Sequence, residues 1–321
     1  MNEHYIKAMT WDSPTELPIS LGVLAAFWFE LGDEAFYFAK QYPDFFTNVP
    51  NNFEELRNRM PPRWRKGEWL DEWGCVWSNE FEGMDAYVTG HPVKTREDIL
   101  RLQVPENDVD NLLPHGFMYL RLLDLRGFEE AMFDFADEAE ELQVLIDKVV
   151  QYNLKQVDYA LTLPKFARVL WLGDDNGMQT GLAIGAEAWR KYIKPAYTKI
   201  YAPIKAAGRL LYMHTDGCIH EIMPDLVDCG VDMINPQFRA NGLDNLVRVC
   251  RGKIPINLDL DRQMFPFATP SQLRDHVREC VESLWLPQGG LGINCELNYD
   301  VPLENAAALL DALREVRHYK G

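Results

Sequence analysis

The sequence predicts an α/β fold, a (β/α)8 TIM-type barrel with an irregular N-terminal extension. Two observations carry this. From about residue 116, short apolar runs alternate with amphipathic stretches over short links, the pattern of a parallel sheet with helices outside. The apolar runs also end in polar residues at the same, C-terminal, end, where the loops of a barrel gather. A doubly wound open sheet would gather them at its switch-point crevice instead. The expected organisation is one domain over 1–321, with residues 1–115 irregular and 116–321 in regular βα units.

The elements follow in order. "TELPISLGVLAAFWFEL" reads as a short strand, "LPISLG", followed by a helix. The Pro- and Trp-rich stretch from Tyr42 to Trp77 reads as long loops with short helices. "DEWGCVWS" and "DAYVTGHPV" read as a strand pair, and "FMYLRLLDL" as a strand. "EEAMFDFADEAEELQVLIDKVVQYNLKQVDYALTL" repeats apolar residues at three and four and predicts one or two helices. "ARVLWLGDD" is a strand, and the helix after it, "AEAWRKYIKPAYTKIYAPIKAAG", is closed by Gly208. The strands "RLLYMHTDG", "VDMINPQ", "IPINLDLD" and "GGLGINCEL" follow, each with a helix behind it. Thr269 or Ser271 caps the helix before the last strand, and Pro302 opens the closing one.

Composition narrows the function. The formal charge is -17 and 47% of the chain is hydrophobic. That leaves ample core, and nothing resembling a basic stripe that would neutralise nucleic-acid phosphates or an anionic membrane surface. No run has the length of a membrane span, and the N-terminus lacks a signal-peptide pattern. Six cysteines without a CxxC pair suit reduced thiols and a cytoplasmic location.

The strand ends carry the chemistry. They bear Asp174 and Asp175, His214 and Asp216, Asn235 and Gln237, Asp259 and Asp261, and Cys295 and Glu296. Asp174, Asp175 and Asp261 are equally suited to turning the chain or capping a helix. His214 and Cys295 form a candidate soft-metal pair, since zinc takes imidazole, thiolate and carboxylate and keeps one position open at catalytic sites. Strand alternation places His214 and Asp216 on one side, making Asp216 the third ligand, with Glu296 as its replacement. Cys218, beyond Gly217, is the weaker candidate.

In several motifs the chain resembles the uroporphyrinogen decarboxylase superfamily. They are "DEWGCVW", "HPVKTREDI", "LRGFEEAMFD", "GDDNGMQTG" before "AEAWRKYIKPAYTKI", "HTDGCIHEIMPDLVDCGVDMINPQ" and "CELNYDVPLENAAALLDALREV", between residues 60 and 321. The resemblance implies a (β/α)8 barrel. It does not extend to the Arg-rich N-terminal loop by which true decarboxylases hold porphyrinogen carboxylates; "VLAAFWFELG" stands there instead. It points rather to the zinc-dependent methyltransferases that work with corrinoid proteins and hold zinc through H-x-C and a later Cys. His214 matches the His and Cys295 the later Cys, while Asp216 replaces the middle Cys. That makes the site harder and better suited to an ether or alcohol oxygen.

The implied function is methyl transfer between a small methylated compound, such as an aromatic methyl ether, and a corrinoid (cobalamin) on a partner protein, with zinc activating the leaving or accepting atom. Asp174, Asp175 and Asp216 would be catalytic or orienting. Gln179, Asn235 and Gln237 would hold polar substrate groups. Trp28 and Trp73 would wall the pocket, although aromatics of this kind also pack cores. A second copy of the chain is a further expected partner. The rival readings are a metal-free decarboxylase of a porphyrinogen-like or smaller acid, and a tetrapyrrole carrier without catalysis.

Overall fold

The computed structural model describes residues 2–106 and 112–321. Its strands are β1 (Ile19–Val23), β2 (Gly67–Leu70), β3 (Val76–Asn79), β4 (Tyr87–Gly90), β5 (Val169–Gly173), β6 (Leu210–Thr215), β7 (Met233–Pro236), β8 (Ile256–Asp259) and β9 (Leu291–Leu297). The chain forms two compact units. One comprises residues 70–76 and 88–256, the other 2–69, 77–87 and 257–321. No helix among the described residues is long and apolar enough to cross a membrane.

In the first unit, β5, β6 and β7 run parallel, with Gly173 beside His214 and His214 beside Asn235. Parallel strands covered on both faces become near-continuous apolar runs. Accordingly Leu170, Leu172, Leu211, Met213 and Ile234 are buried on one face. The opposite face carries Trp171, Gly173, Tyr212, His214, Met233 and Asn235, because side chains alternate along a strand. The 21-residue helix Glu140–Ala160 and the helix Lys194–Ala206 pack together. The latter follows a π-helical turn, Trp189–Ile193, and carries Pro195 in its first turn, which has no N–H to continue an α-helical ladder.

In the second unit β1 pairs in parallel with β9, with Leu21 beside Cys295 and Gly22 beside Glu296. The "LPISLG" segment is therefore a strand, as its pattern predicts. The units divide within β8: Ile256 belongs to the first and pairs with Ile234, and the remainder belongs to the second. The strand order is β1-β9-β8-β7-β6-β5. Six parallel strands are thus described, two fewer than a (β/α)8 barrel contains. The helices Pro270–Leu284 and Leu303–Val316 pack together, the former opened by a Thr269–Gln272 capping box. The N-terminal aromatics Phe27, Trp28, Phe36, Phe38 and Phe46 form a cluster of edge-to-face and tilted ring contacts. A separate small sheet has the order β2-β3-β4.

One sequence expectation is corrected. "FMYLRLLDL" is not a strand: Tyr119–Arg126 is a helix. Its buried residues Tyr119, Leu122, Leu125 and Arg126 recur at three and four, the helical period. The helix has no side-chain cap of its own. Asp174, just beyond β5, serves instead: its carboxylate accepts from the backbone N–H of Tyr119 (2.5 Å) and Leu120 (2.9 Å) and from the Tyr197 hydroxyl (2.8 Å).

Removing that acceptor should cost folding free energy, because it strands buried donors. We expect Asp174→Ala to lower stability by roughly 3 kcal/mol in urea melts at neutral pH, and Asp174→Asn, which keeps one acceptor oxygen, to lower it less. An unchanged Asp174→Ala melt would show that the helix is anchored by other means.

Candidate active site

The ends of β5, β6 and β7 bring a set of polar side chains together. The in-register residues Gly173, His214 and Asn235 lie side by side. Gly173 is required here: a Cβ at this position would stand 2.4 Å from the His115 Nδ1. The missing side chain lets His115, in the segment before the helix Tyr119–Arg126, lie over the strand end. The His115 and His214 rings are 5.5 Å apart at their centroids.

Asp175 ties the group together. Its Oδ2 lies 3.0 Å from the His115 Nε2, and its Oδ1 lies 3.9 Å from the His214 Nε2. The same Oδ1 accepts from the Asp216 backbone N–H at 2.9 Å. Asp216 places a carboxylate oxygen 3.2 Å from the His214 Nε2. On the far side of the ring the His214 Nδ1 is 2.8 Å from the Asn235 Oδ1. Asn235 therefore fixes the ring and leaves Nε2 directed at the carboxylates. One ligand atom from each of His115, Asp175 and His214 lies within 4.8 Å of the others, the one such group of three metal-ligating side chains among the described residues.

The charges are mutually supporting. Burial alone would depress the His214 imidazolium, but the hydrogen bond and charge of Asp216, with Asp175 and Asn235, outweigh it and raise its pKa to about 9. Burial would raise the Asp175 carboxyl, yet His115 and His214 hold it below the ordinary range. Asp174 differs. It is fully buried, and burial pushes its pKa up to about 6 even though the Leu120 and Tyr119 amides and the Tyr197 hydroxyl favour its charged form.

A tight turn holds the β6 end in place. Gly217 has φ +85°, and a Cβ there would fall 2.1 Å from the Gly177 carbonyl oxygen. The close approach allows the Gly177 N–H to donate to the Asp216 carbonyl (3.1 Å) and the Cys218 N–H to that of Met178 (2.8 Å). The Gln237 Oε1 accepts from the Gly217 N–H at 3.0 Å. Cys218 and His220 follow, with Sγ 3.4 Å from Nδ1.

The sequence-derived candidates divide accordingly. His214, Asp175, Asp216, Asn235 and Gln237 come together in the first unit, and Asp174 stands behind them as the helix anchor. Gln179 is exposed on the loop bridged by Gly177 and Leu182. Trp73 is buried edge-on to Tyr152, and Trp28 is buried in the aromatic cluster of the second unit. Cys295 and Glu296 belong to that second unit and, as neighbours on β9, point to opposite faces. Glu296 forms an ion pair with Arg262, which also reaches Asp259 at 3.0 Å. Cys295 is fully buried, and burial, with Asp259 and Glu296 nearby, raises its thiol pKa.

His115 was not among the residues singled out from the sequence. Its only signal is its place in "LLPHGF", before a glycine and ahead of an apolar run.

Two histidines and a carboxylate converging on one point form a nitrogen and oxygen donor set for a divalent cation, with a second carboxylate beside it able to accept a proton. Comparison with known proteins sets this site in context. Among solved structures, the chain superposes on a methyltransferase from Methanosarcina mazei with a TM-score of 0.67 and 15% sequence identity, over 97% of each chain. A dihydropteroate synthase from Xanthomonas albilineans aligns over 52% of this chain and 61% of its own at 17% identity, with a TM-score of 0.35. No curated protein sequence matches the chain. At these identities the likeness concerns fold. The family assignment rests on sequence: residues 122–316, which include Asp174, Asp175, His214 and Asp216, match the model of the uroporphyrinogen decarboxylase (URO-D) family. The chain belongs to the uroporphyrinogen decarboxylase family.

Proposed function

We propose that this chain is a methyltransferase that moves a methyl group between a small methylated compound and a corrinoid carried by a partner protein, and that it holds zinc at His115, Asp175 and His214. The observation that carries the reading is the convergence of these three ligand atoms within 4.8 Å. The fold-wide likeness to a methyltransferase supports the reaction class. A porphyrinogen decarboxylase reading lacks comparable support, because the histidines of this cluster already face the Asp175 and Asp216 carboxylates, which would repel the carboxylates of such a substrate.

The donor set fits zinc. Three protein ligands with an open fourth position are what catalytic zinc sites use. The Asn235 contact to His214 Nδ1 is the orienting bond that a ligating histidine makes through its other nitrogen. The set consists of nitrogen and oxygen, harder than the thiolate-bearing set expected from the sequence. Zinc bound there supplies Lewis acidity that stabilises negative charge on the atom losing the methyl group. The remaining roles belong to the chain. Asp175 balances both imidazoles. Asp216 stands where a proton leaving or entering the His214 side of the site can be accepted. Gln237 and Gly217 keep the Asp216 turn closed, and Asp174 holds the helix behind His115.

Two outcomes are expected. The purified protein should bind about one zinc per chain by metal analysis. His115→Ala, Asp175→Ala and His214→Ala should each weaken binding at least tenfold, and Cys218→Ser and Cys295→Ser should leave it unchanged. Loss of zinc in Cys295→Ser alone would restore the thiolate set. Zinc binding should also displace a proton, because metal-free His214 is protonated until pH rises through about 9. Calorimetry in buffers of different ionisation enthalpy should report proton release near neutral pH that declines as pH rises through about 9, and less release in His214→Ala than in wild type.

A further inference from the structure

Asp175 has neighbours on both sides that point away from the site. Asp174 and Asn176 face the core together, as side chains two residues apart do in an extended segment. Asn176 is buried, and its side-chain amide is fully used. Its Nδ2 donates to the Asp174 carbonyl oxygen at 2.7 Å and to the Tyr197 hydroxyl at 2.9 Å, and its Oδ1 accepts from the Trp189 Nε1–H at 2.7 Å. The partners set the orientation of the amide, since an indole N–H can only donate. On the main chain, the Asn176 N–H donates to the Thr215 Oγ1 at 3.1 Å. Thr215 is fully buried and stands between His214 and Asp216. Asn176 therefore fixes the chain just after Asp175 and ties it to the residue that separates His214 from Asp216.

The helix behind this hub is shaped to serve it. Trp189 and Tyr197 are eight residues apart in the chain. Eight steps of an ideal α-helix leave two side chains about 80° out of line, and seven steps only about 20°. The π-helical turn Trp189–Ile193, in which the Lys194 N–H bonds to the Trp189 carbonyl, inserts one extra residue between them. Both rings thereby reach Asn176, with centroids 5.8 Å apart and planes at 75°. Such turns are rare and recur at functional sites. The spacing in front of the hub shows what is held. A carboxylate free to move would close on a charged imidazole to about 2.8 Å. The Asp175 Oδ1 instead stands 3.9 Å from the His214 Nε2. That gap is no wider than two metal–ligand bonds of about 2.0 Å each.

We propose that Asn176 is a positioning residue for the site, held by Trp189 and Thr215, and that it sets where the Asp175 carboxylate stands relative to His214 and Asp216. What the position serves rests on the metal-site reading; what holds it rests on the hydrogen bonds of the hub. Asparagine suits this place because one side chain must donate to a carbonyl and accept from an indole at once. Leucine fills the same space and does neither. A fully satisfied buried polar network specifies one arrangement, and a partly satisfied one does not. The Asp175 Oδ1 accepts from the Asp216 N–H at 2.9 Å, so that amide reports the carboxylate's position with or without metal.

The test measures amide hydrogen exchange in the metal-free protein, with the Leu211 N–H as control. That amide lies at the other end of β6 and donates to the Asp232 carboxylate at 2.7 Å. Asn176→Leu and Trp189→Phe should speed exchange at Asp216 about tenfold relative to Leu211, the size of a lost hydrogen bond to a carboxylate. Thr215→Val should do the same, and Thr215→Ser, which keeps the hydroxyl, should show the wild-type ratio. The variants that speed Asp216 should also bind zinc about tenfold more weakly, as loss of the outer partners of a metal ligand does. A role confined to stability would speed both amides together, and an unaltered ratio would overturn the proposal whatever zinc does. Should Asn176→Leu fail to fold, Trp189→Phe and the two Thr215 variants carry the same comparison. A wild type that binds no zinc, with the ratio still raised in the variants, would sink the zinc reading and leave the positioning role standing.

Discussion

The Asp175 carboxylate is the interaction on which the site depends. One oxygen meets His115, and the other meets the Asp216 amide and faces His214. It therefore joins three chain segments: the loop before the helix Tyr119–Arg126, the end of β5 and the turn after β6. Without a compensating charge, two imidazoles in a half-buried pocket would repel one another when protonated and bury polar edges at a cost when neutral. Asp175 relieves both. Its neighbour Asp174 points the other way, into full burial, and fixes the helix that follows His115. Adjacent aspartates thus divide the work: one holds the scaffold and the other organises the chemistry.

Much of this was legible in the sequence because parallel sheets impose strict patterns. The alternation of apolar runs and amphipathic stretches located β5 to β9, and "LPISLG" proved to be β1. The polar residues after each run located His214, Asp175, Asp216, Asn235 and Gln237, since the C-terminal ends of parallel strands converge. What alternation gave, it also limited. Cys295 and Glu296 are consecutive on a strand and cannot both face one point, and Glu296 is already engaged by Arg262.

The remaining features were hidden for definite reasons. "FMYLRLLDL" is rich enough in apolar residues to satisfy a strand or a helix template over a short window. What decides for helix is the recurrence of buried positions at three and four, together with an acceptor for its first amides some fifty residues away in sequence. His115 depends on that helix and on the absence of a side chain at Gly173, so its partnership is a tertiary fact. Trp28 and Trp73 sit among apolar residues in the sequence, where a pocket wall and a core residue look alike; in the structure both are buried against other aromatic rings.

The central claim is that the site is built from nitrogen and oxygen donors of the first unit. X-ray absorption at the zinc edge of the zinc-loaded protein tests it most directly. The account predicts a first shell of light scatterers at about 2.0 Å, with the multiple-scattering signature of two imidazoles and no sulfur. A sulfur scatterer at about 2.3 Å would contradict it and return Cys295 or Cys218 to the metal.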